Sequence, residues 1–173
     1  TFAYTKVSIN DFKALLSNYN EPINKDYSLL NRKPIVDITG SSTVSIVNFT
    51  ITDGVYYNGV SCTSCNTVRI SDITRTSLKD PIASSTIYLN TVSETYISNI
   101  VVNSASQASA SYYVIDNDPT TFNAFNTISV SDFNITNMTL IHLGSITLKR
   151  ISLSGKSSSE YLMKTDGSLI QDL

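Results

Sequence analysis

The chain has no tryptophan, one histidine, two cysteines, four prolines and six glycines in 173 residues. A single histidine leaves Ser-His-Asp chemistry one place to sit, His142, and Leu140-Ile-His142-Leu143 reads as strand rather than as a catalytic loop. The lone CxxC, Cys62-Thr-Ser-Cys65, brings half the ligands of a structural zinc site, with His142 far away along the chain. Charge is scarce too: 15% of residues are charged, against about 25% in an average soluble domain. A net charge of −2 with no Lys/Arg cluster argues against a nucleic-acid partner bound through its phosphate backbone. No apolar run approaches the roughly 18 residues of a membrane span.

Neutral polar residues fill the gap, with 27 Ser, 20 Thr and 16 Asn. Isoleucine is the commonest apolar residue at 19, joined by 12 Val, and the 41% hydrophobic share suffices for a buried core. β-Branched abundance with little Ala favours strands over helices.

One element recurs along the chain, apolar-x-apolar-x-(Asn/Asp)-apolar-x-apolar. It reads Val44-Ser-Ile46-Val-Asn48-Phe49-Thr-Ile51, Val68-Arg-Ile70-Ser-Asp72-Ile73, Tyr96-Ile97-Ser-Asn99-Ile100-Val-Val102 and Ile128-Ser-Val130-Ser-Asp132-Phe133-Asn-Ile135. Val7-Ser-Ile9-Asn-Asp11-Phe12 gives a further copy, and Ile146-Thr-Leu148-Lys-Arg150-Ile151-Ser-Leu153 a degenerate one with Arg150 in the polar slot. The slots step by 37, 24, 27, 33 and 18 residues. Within a copy the apolar period is two on each side of the slot and three across it. A flat strand would turn half of that set outward, so the pattern predicts a bend at the Asn or Asp. Both residue types tolerate the left-handed region such a bend uses.

Shorter strand-like runs lie between the copies: Val55-Tyr-Tyr57, Thr86-Ile-Tyr-Leu89, Tyr112-Tyr-Val-Ile115, Leu140-Ile-His-Leu143 and Tyr161-Leu-Met163. Three short strands per turn with two corners describe one coil of a parallel β-helix. Polar insertions are expected near 13–34, 76–85, 103–111 and 117–125, and Asn10 to Leu16 is compatible with one or two helical turns.

These repeats resemble the right-handed parallel β-helices of the pectin-lyase-like superfamily. The Ser/Thr/Asn-rich dialect is similar to large surface and secreted β-helix proteins of protists. The resemblance implies an all-β solenoid of about six coils spanning 1–173 as one segment, either part of a longer chain or a unit that stacks on its neighbours. It implies no activity, since such folds serve lyases, hydrolases, tailspikes, adhesins and inert fibres. The Asn-Thr-Asp, Asp-Asp, Gly-His-Gly and Arg-Ile-Lys elements of similar glycosidases are missing: no two Asp are adjacent, and His142 lacks flanking glycines. Asp116, Asp118, Asp37, Asp53 and Asp80 at strand ends are the acids an enzyme would need to gather, with Arg69 and Arg75 as candidate bases for lyase chemistry.

The expectation is therefore a structural component of an extracellular or cell-surface fibre or coat, with no catalytic, cofactor or metal residues. End-to-end self-association or contact with neighbouring solenoid segments supplies its partners. The alternatives are a polysaccharide lyase or hydrolase and a glycan-binding adhesin, the latter using Tyr56, Tyr57, Tyr112 or Tyr113. Covalent glycans are expected on sequons, in the order Asn134, Asn137, Asn48. Asn134 lies between two inward residues and should face out, whereas a corner Asn48 is expected to turn inward into a ladder. In an extracellular chain Cys62 and Cys65 are read as a local disulfide, with two reduced, buried thiols as the other possibility.

Overall fold

The computed structural model describes residues 6–16, 34–108, 112–117, 124–144, 147–159, 161–167 and 169–172. These form strands and turns with no helix among them. The strands are β1 (Lys6–Leu16), β2 (Pro34–Thr39), β3 (Thr43–Asp53), β4 (Asn58–Thr63), β5 (Thr67–Thr76), β6 (Ile87–Asn90) and β7 (Glu94–Asn103). They continue with β8 (Tyr113–Asn117), β9 (Ala124–Thr136), β10 (Thr139–Leu143), β11 (Thr147–Ser157), β12 (Met163–Thr165) and β13 (Leu169–Asp172). Odd-numbered strands build a seven-stranded sheet and even-numbered ones a six-stranded sheet, each in sequence order. Every pairing is parallel. The chain thus alternates between two parallel sheets, advancing one strand in each.

The bend appears where the apolar period slips. Asp11, Asn48, Asp72, Asn99 and Asp132 all have positive φ, from 52° to 59°. Pairing resumes beyond the bend, with Val47 beside Ser71 and then Phe49 beside Ile73. Strands β3, β5, β7 and β9 therefore keep buried residues on both sides of a left-handed corner residue. Asn and Asp tolerate that conformation at less cost than β-branched residues would.

Register turns the repeat into columns. Val7, Val44, Val68, Thr95, Ile128 and Ile151 stand one above another, as do Ile9, Ile46, Ile70, Ile97, Val130 and Leu153. On the short sheet Val36, Val60, Ile87, Ile115, Ile141 and Met163 make a matching column. Most of these side chains are buried in one continuous core. Full burial of each Val or Ile is worth roughly 1.5–3 kcal/mol, so the columns carry the cohesion between successive strands.

Three local expectations are corrected. Asn10 to Leu16 lies within strand β1, because Phe12 falls beside Phe49, where their rings stack at 4.9 Å. Val55 to Tyr57 is a turn closed by Tyr57 N–H donating to Gly54 O, and the strand starts at Asn58 instead. Arg150 does not fill a corner: Ile151 pairs with Ile128 and Leu153 with Val130, so the last full copy is shifted along the chain. Its corner residue is deleted, and the register jumps from Ser154↔Ser131 to Gly155↔Phe133. A Cβ on Gly155 would lie 2.5 Å from Phe133 O, so glycine is what lets the shortened strand cross there.

The insertions expected near 76–85 and 103–111 fall in the connections β5–β6 and β7–β8, with 109–111 outside the described residues. The insertion at 117–125 lies largely outside them, at 118–123, and so do residues 17–33 of the first insertion. Beyond the last full copy, Leu169–Asp172 forms β13, which pairs with β11.

Candidate functional site

Three polar clusters stand out among the described residues outside the apolar columns. The first is centred on the single histidine. Register sets His142 of β10 beside Asp116 of β8 and Lys164 of β12. His142 Nδ1 lies 2.7 Å from Asp116 Oδ1, and Nε2 lies 2.9 Å from Asp166 Oδ2, just past β12. Tyr113 stacks on the imidazole at 4.6 Å, and Lys164 Nζ lies 5.8 Å from the Tyr113 ring centre. Asp116 is fully buried, with Oδ2 unpartnered, while the Asp166 side chain is 57% exposed.

Two ionised carboxylates facing two ring nitrogens are both satisfied when both nitrogens donate, which is the imidazolium form. Burial pushes the imidazole pKa down, but the hydrogen bonds and charges of Asp116 and Asp166 outweigh it, and the net direction is up. Asp166 is held below its ordinary value, first by its bond to His142 and against an opposing desolvation effect. In that form His142 has no lone pair with which to take a proton from a nucleophile. Chemically the cluster is an ionic tie across β8, β10 and the turn after β12.

The second cluster is internal. Arg75 stands in an inward column between Ile51 and Val102 and is completely buried. Its Nη2 donates to Gly54 O at 3.0 Å, Tyr57 O at 2.9 Å and Ser84 Oγ at 2.7 Å, and Nη1 reaches Thr86 Oγ1 at 3.4 Å. Desolvation lowers its pKa to about 9, which still leaves it charged at neutral pH. The guanidinium therefore fastens the turn after β3 to the connection before β6. This placement removes Arg75 from the candidate bases, because its cation does not reach a surface.

The third cluster is open. On the outer face of the long sheet Ser45, Arg69, Tyr96 and Ser129 form one column, and Val47, Ser71, Ser98 and Ser131 the next. They line a shallow groove of about 370 Å³. The Arg69 guanidinium sits 4.4 Å from the Tyr96 ring centre, a cation–π contact. The groove offers hydroxyls, one aromatic and one cation, and its lining includes no carboxylate and no histidine.

The acids expected at strand ends are not gathered into a pair around this groove. Asp37 and Asp80 are exposed, Asp53 has a left-handed φ of 59°, and Asp118 lies outside the described residues. Among the described residues no group of three or more His, Cys, Asp or Glu is placed to hold a metal ion. No described helix is long and apolar enough to cross a membrane.

Cys62 and Cys65 are buried free thiols, Cys62 stacked between Ile38 and Leu89. Cys65 Sγ points at Thr63 O, 3.5 Å away. The hydrogen bond with Cys62 lowers the Cys65 pKa to about 6 and pushes Cys62 up.

Of the sequons, Asn134 is exposed on β9. Asn137 is half-buried in a left-handed turn, with Nδ2 donating to Ser104 O at 3.0 Å. Asn48 is exposed, not inward, and its Nδ2 donates to Asp11 Oδ1 at 2.7 Å. Asn99 repeats that bond to Asp72. The corner ladder thus exists on the outside, because a left-handed residue at a convex bend carries its side chain away from the core. Tyr56 is exposed, Tyr57 and Tyr112 are half-buried and Tyr113 is buried, so the four tyrosines do not share one open face.

No family model, no curated protein and no solved structure matches the chain.

Proposed function

We propose that the chain is a parallel β-helix segment with a structural role in an extracellular or cell-surface fibre or coat, and that it is not an enzyme. Alternation between two parallel sheets, left-handed corners and in-register apolar columns support the β-helix reading and its likeness to the pectin-lyase-like superfamily. The observation that carries the non-catalytic reading is the lining of the outer groove. Glycoside hydrolysis needs two carboxylates flanking the bond, and this groove has none. Two of the ionisable groups that could have served are turned into the stack, His142 between two aspartates and Arg75 into the core, and Arg69 lines the groove with no carboxylate in that lining.

In this reading each coil hydrogen-bonds the next at about 4.8 Å along the axis, and rods join end to end or abut neighbouring segments. Outward Ser, Thr and Asn keep the surface neutral and hydrated, with glycans on Asn134 foremost. Incubating the purified protein with acidic and neutral polysaccharides, with and without calcium, tests the claim. Unchanged polymer length is expected, and chain shortening abolished by boiling the protein would overturn it.

A second reading rests on the groove itself. Arg69 and Tyr96 between serine columns suit a glycan lying along the rod, as in an adhesin. Glycan-array binding lost in Arg69→Ala would favour it over an inert surface.

A further inference from the structure

We propose that Asp116, His142 and Asp166 form a pH-dependent latch that holds β12 onto β10. The latch goes beyond the structural role above and does not depend on it. β12 is short: only Met163, Lys164 and Thr165 pair with β10. Its side chains are half-buried to exposed, so little apolar burial secures it. The residues on either side of it each add one backbone bond, Ile141 N–H donating to Leu162 O and Asp166 N–H donating to Leu143 O, both at 3.0 Å. The 2.9 Å contact between Asp166 Oδ2 and His142 Nε2 then adds a charged bond where β12 ends. Asp116, fully buried on the far side of the ring, fixes Nδ1 as a donor and so aims Nε2 at Asp166.

The groups facing the imidazole are few. Asp116 and Tyr113 come from β8, Lys164 from β12 and Asp166 from the turn after it, while Tyr88 of β6 lies beside Asp116 in register. Loss of the ring proton leaves one N–H for two carboxylates, so one of them then faces a lone pair. His142 is raised above its ordinary 6.5, so its contribution is complete below that pH and disappears as pH rises through the folded value. Asp166 is lowered below its ordinary 3.8, so its contribution is complete above that pH and disappears as pH falls through the folded value. β12 is therefore held best in mildly acidic solution and released at both extremes. Lys164 is raised by its hydrogen bond to Tyr113 and keeps its charge throughout this window.

Because the chain has one histidine, its ring protons give an unambiguous NMR titration. The wild-type midpoint should lie above about 6.5, and Asp166→Asn should lower it. Asp166 is largely exposed, so that variant is expected to fold normally. Amide-exchange protection of Lys164 to Asp166, corrected for intrinsic rates, should fall about fivefold as pH crosses the measured midpoint. The same amides should be weakly protected in Asp166→Asn at mildly acidic pH, with β3 and β5 unchanged. A midpoint at or below about 6.5, or β12 protection indifferent to both titration and substitution, overturns the latch and leaves the rod reading untouched.

Discussion

Arg75 gives the sharpest test of how the core is built. It occupies a slot that neighbouring strands fill with Ile51 and Val102, yet it carries a charge. Replacing it by Met removes the cation and roughly keeps the volume. Three of its four acceptors keep a second partner: Gly54 O accepts from Tyr57 N–H, while Ser84 Oγ lies 2.7 Å from Tyr57 O and 2.8 Å from Val55 O. The methionine variant therefore strands few groups, and it also abolishes the unpartnered Arg75 Nε. Exchanging a buried ion for an apolar side chain of similar size is often close to neutral, so a loss within about 1–2 kcal/mol is expected. Alanine loses the same bonds and also opens a cavity between Ile51 and Val102, which brings the expected cost to about 3–5 kcal/mol. Urea unfolding at neutral pH reads the difference as a shift in midpoint at constant slope. Alanine and methionine variants agreeing within about 0.5 kcal/mol would refute the placement of this side chain in the core.

Other consequences follow from the columns. Ile135 is 1% exposed and Ser129 stands on the outer face, so Ile135→Asp should unfold the chain while Ser129→Ala shifts stability by no more than about 0.5 kcal/mol. Equal thermal stability of the two variants would contradict the inward and outward assignment. Gly155→Ala should cost about 2 kcal/mol or more, because the added methyl meets the Phe133 backbone and ring. A wild-type melting temperature for that variant would mean that β11 does not cross Phe133 so closely.

Much of this architecture was legible because the apolar period changes at a recognisable residue. Asn48, Asp72 and Asn99 announce their corners through a step of three between inward residues, and their φ values follow. The β4 strand was hidden because Asn58-Gly59 resembles a turn. Gly59 is there for clearance instead, since a Cβ would lie 2.4 Å from Thr86 O. The last copy misleads because Ile146 to Leu153 matches the pattern by residue type, while a deleted corner sets the register elsewhere. Arg75 carried a signal that composition obscures: Ile73 in, Thr74 out, Arg75 in is the alternation of its neighbours. The histidine cluster was out of reach because its partners lie 26 and 24 residues away and meet only through the register of the short sheet.

The central claim, a stacked rod with a structural role, is most directly tested by cryo-electron microscopy of the natively isolated material. The account predicts rods with an axial repeat of about 4.8 Å and branched density leaving Asn134. Discrete particles without that repeat, presenting a groove lined by paired carboxylates, would contradict it.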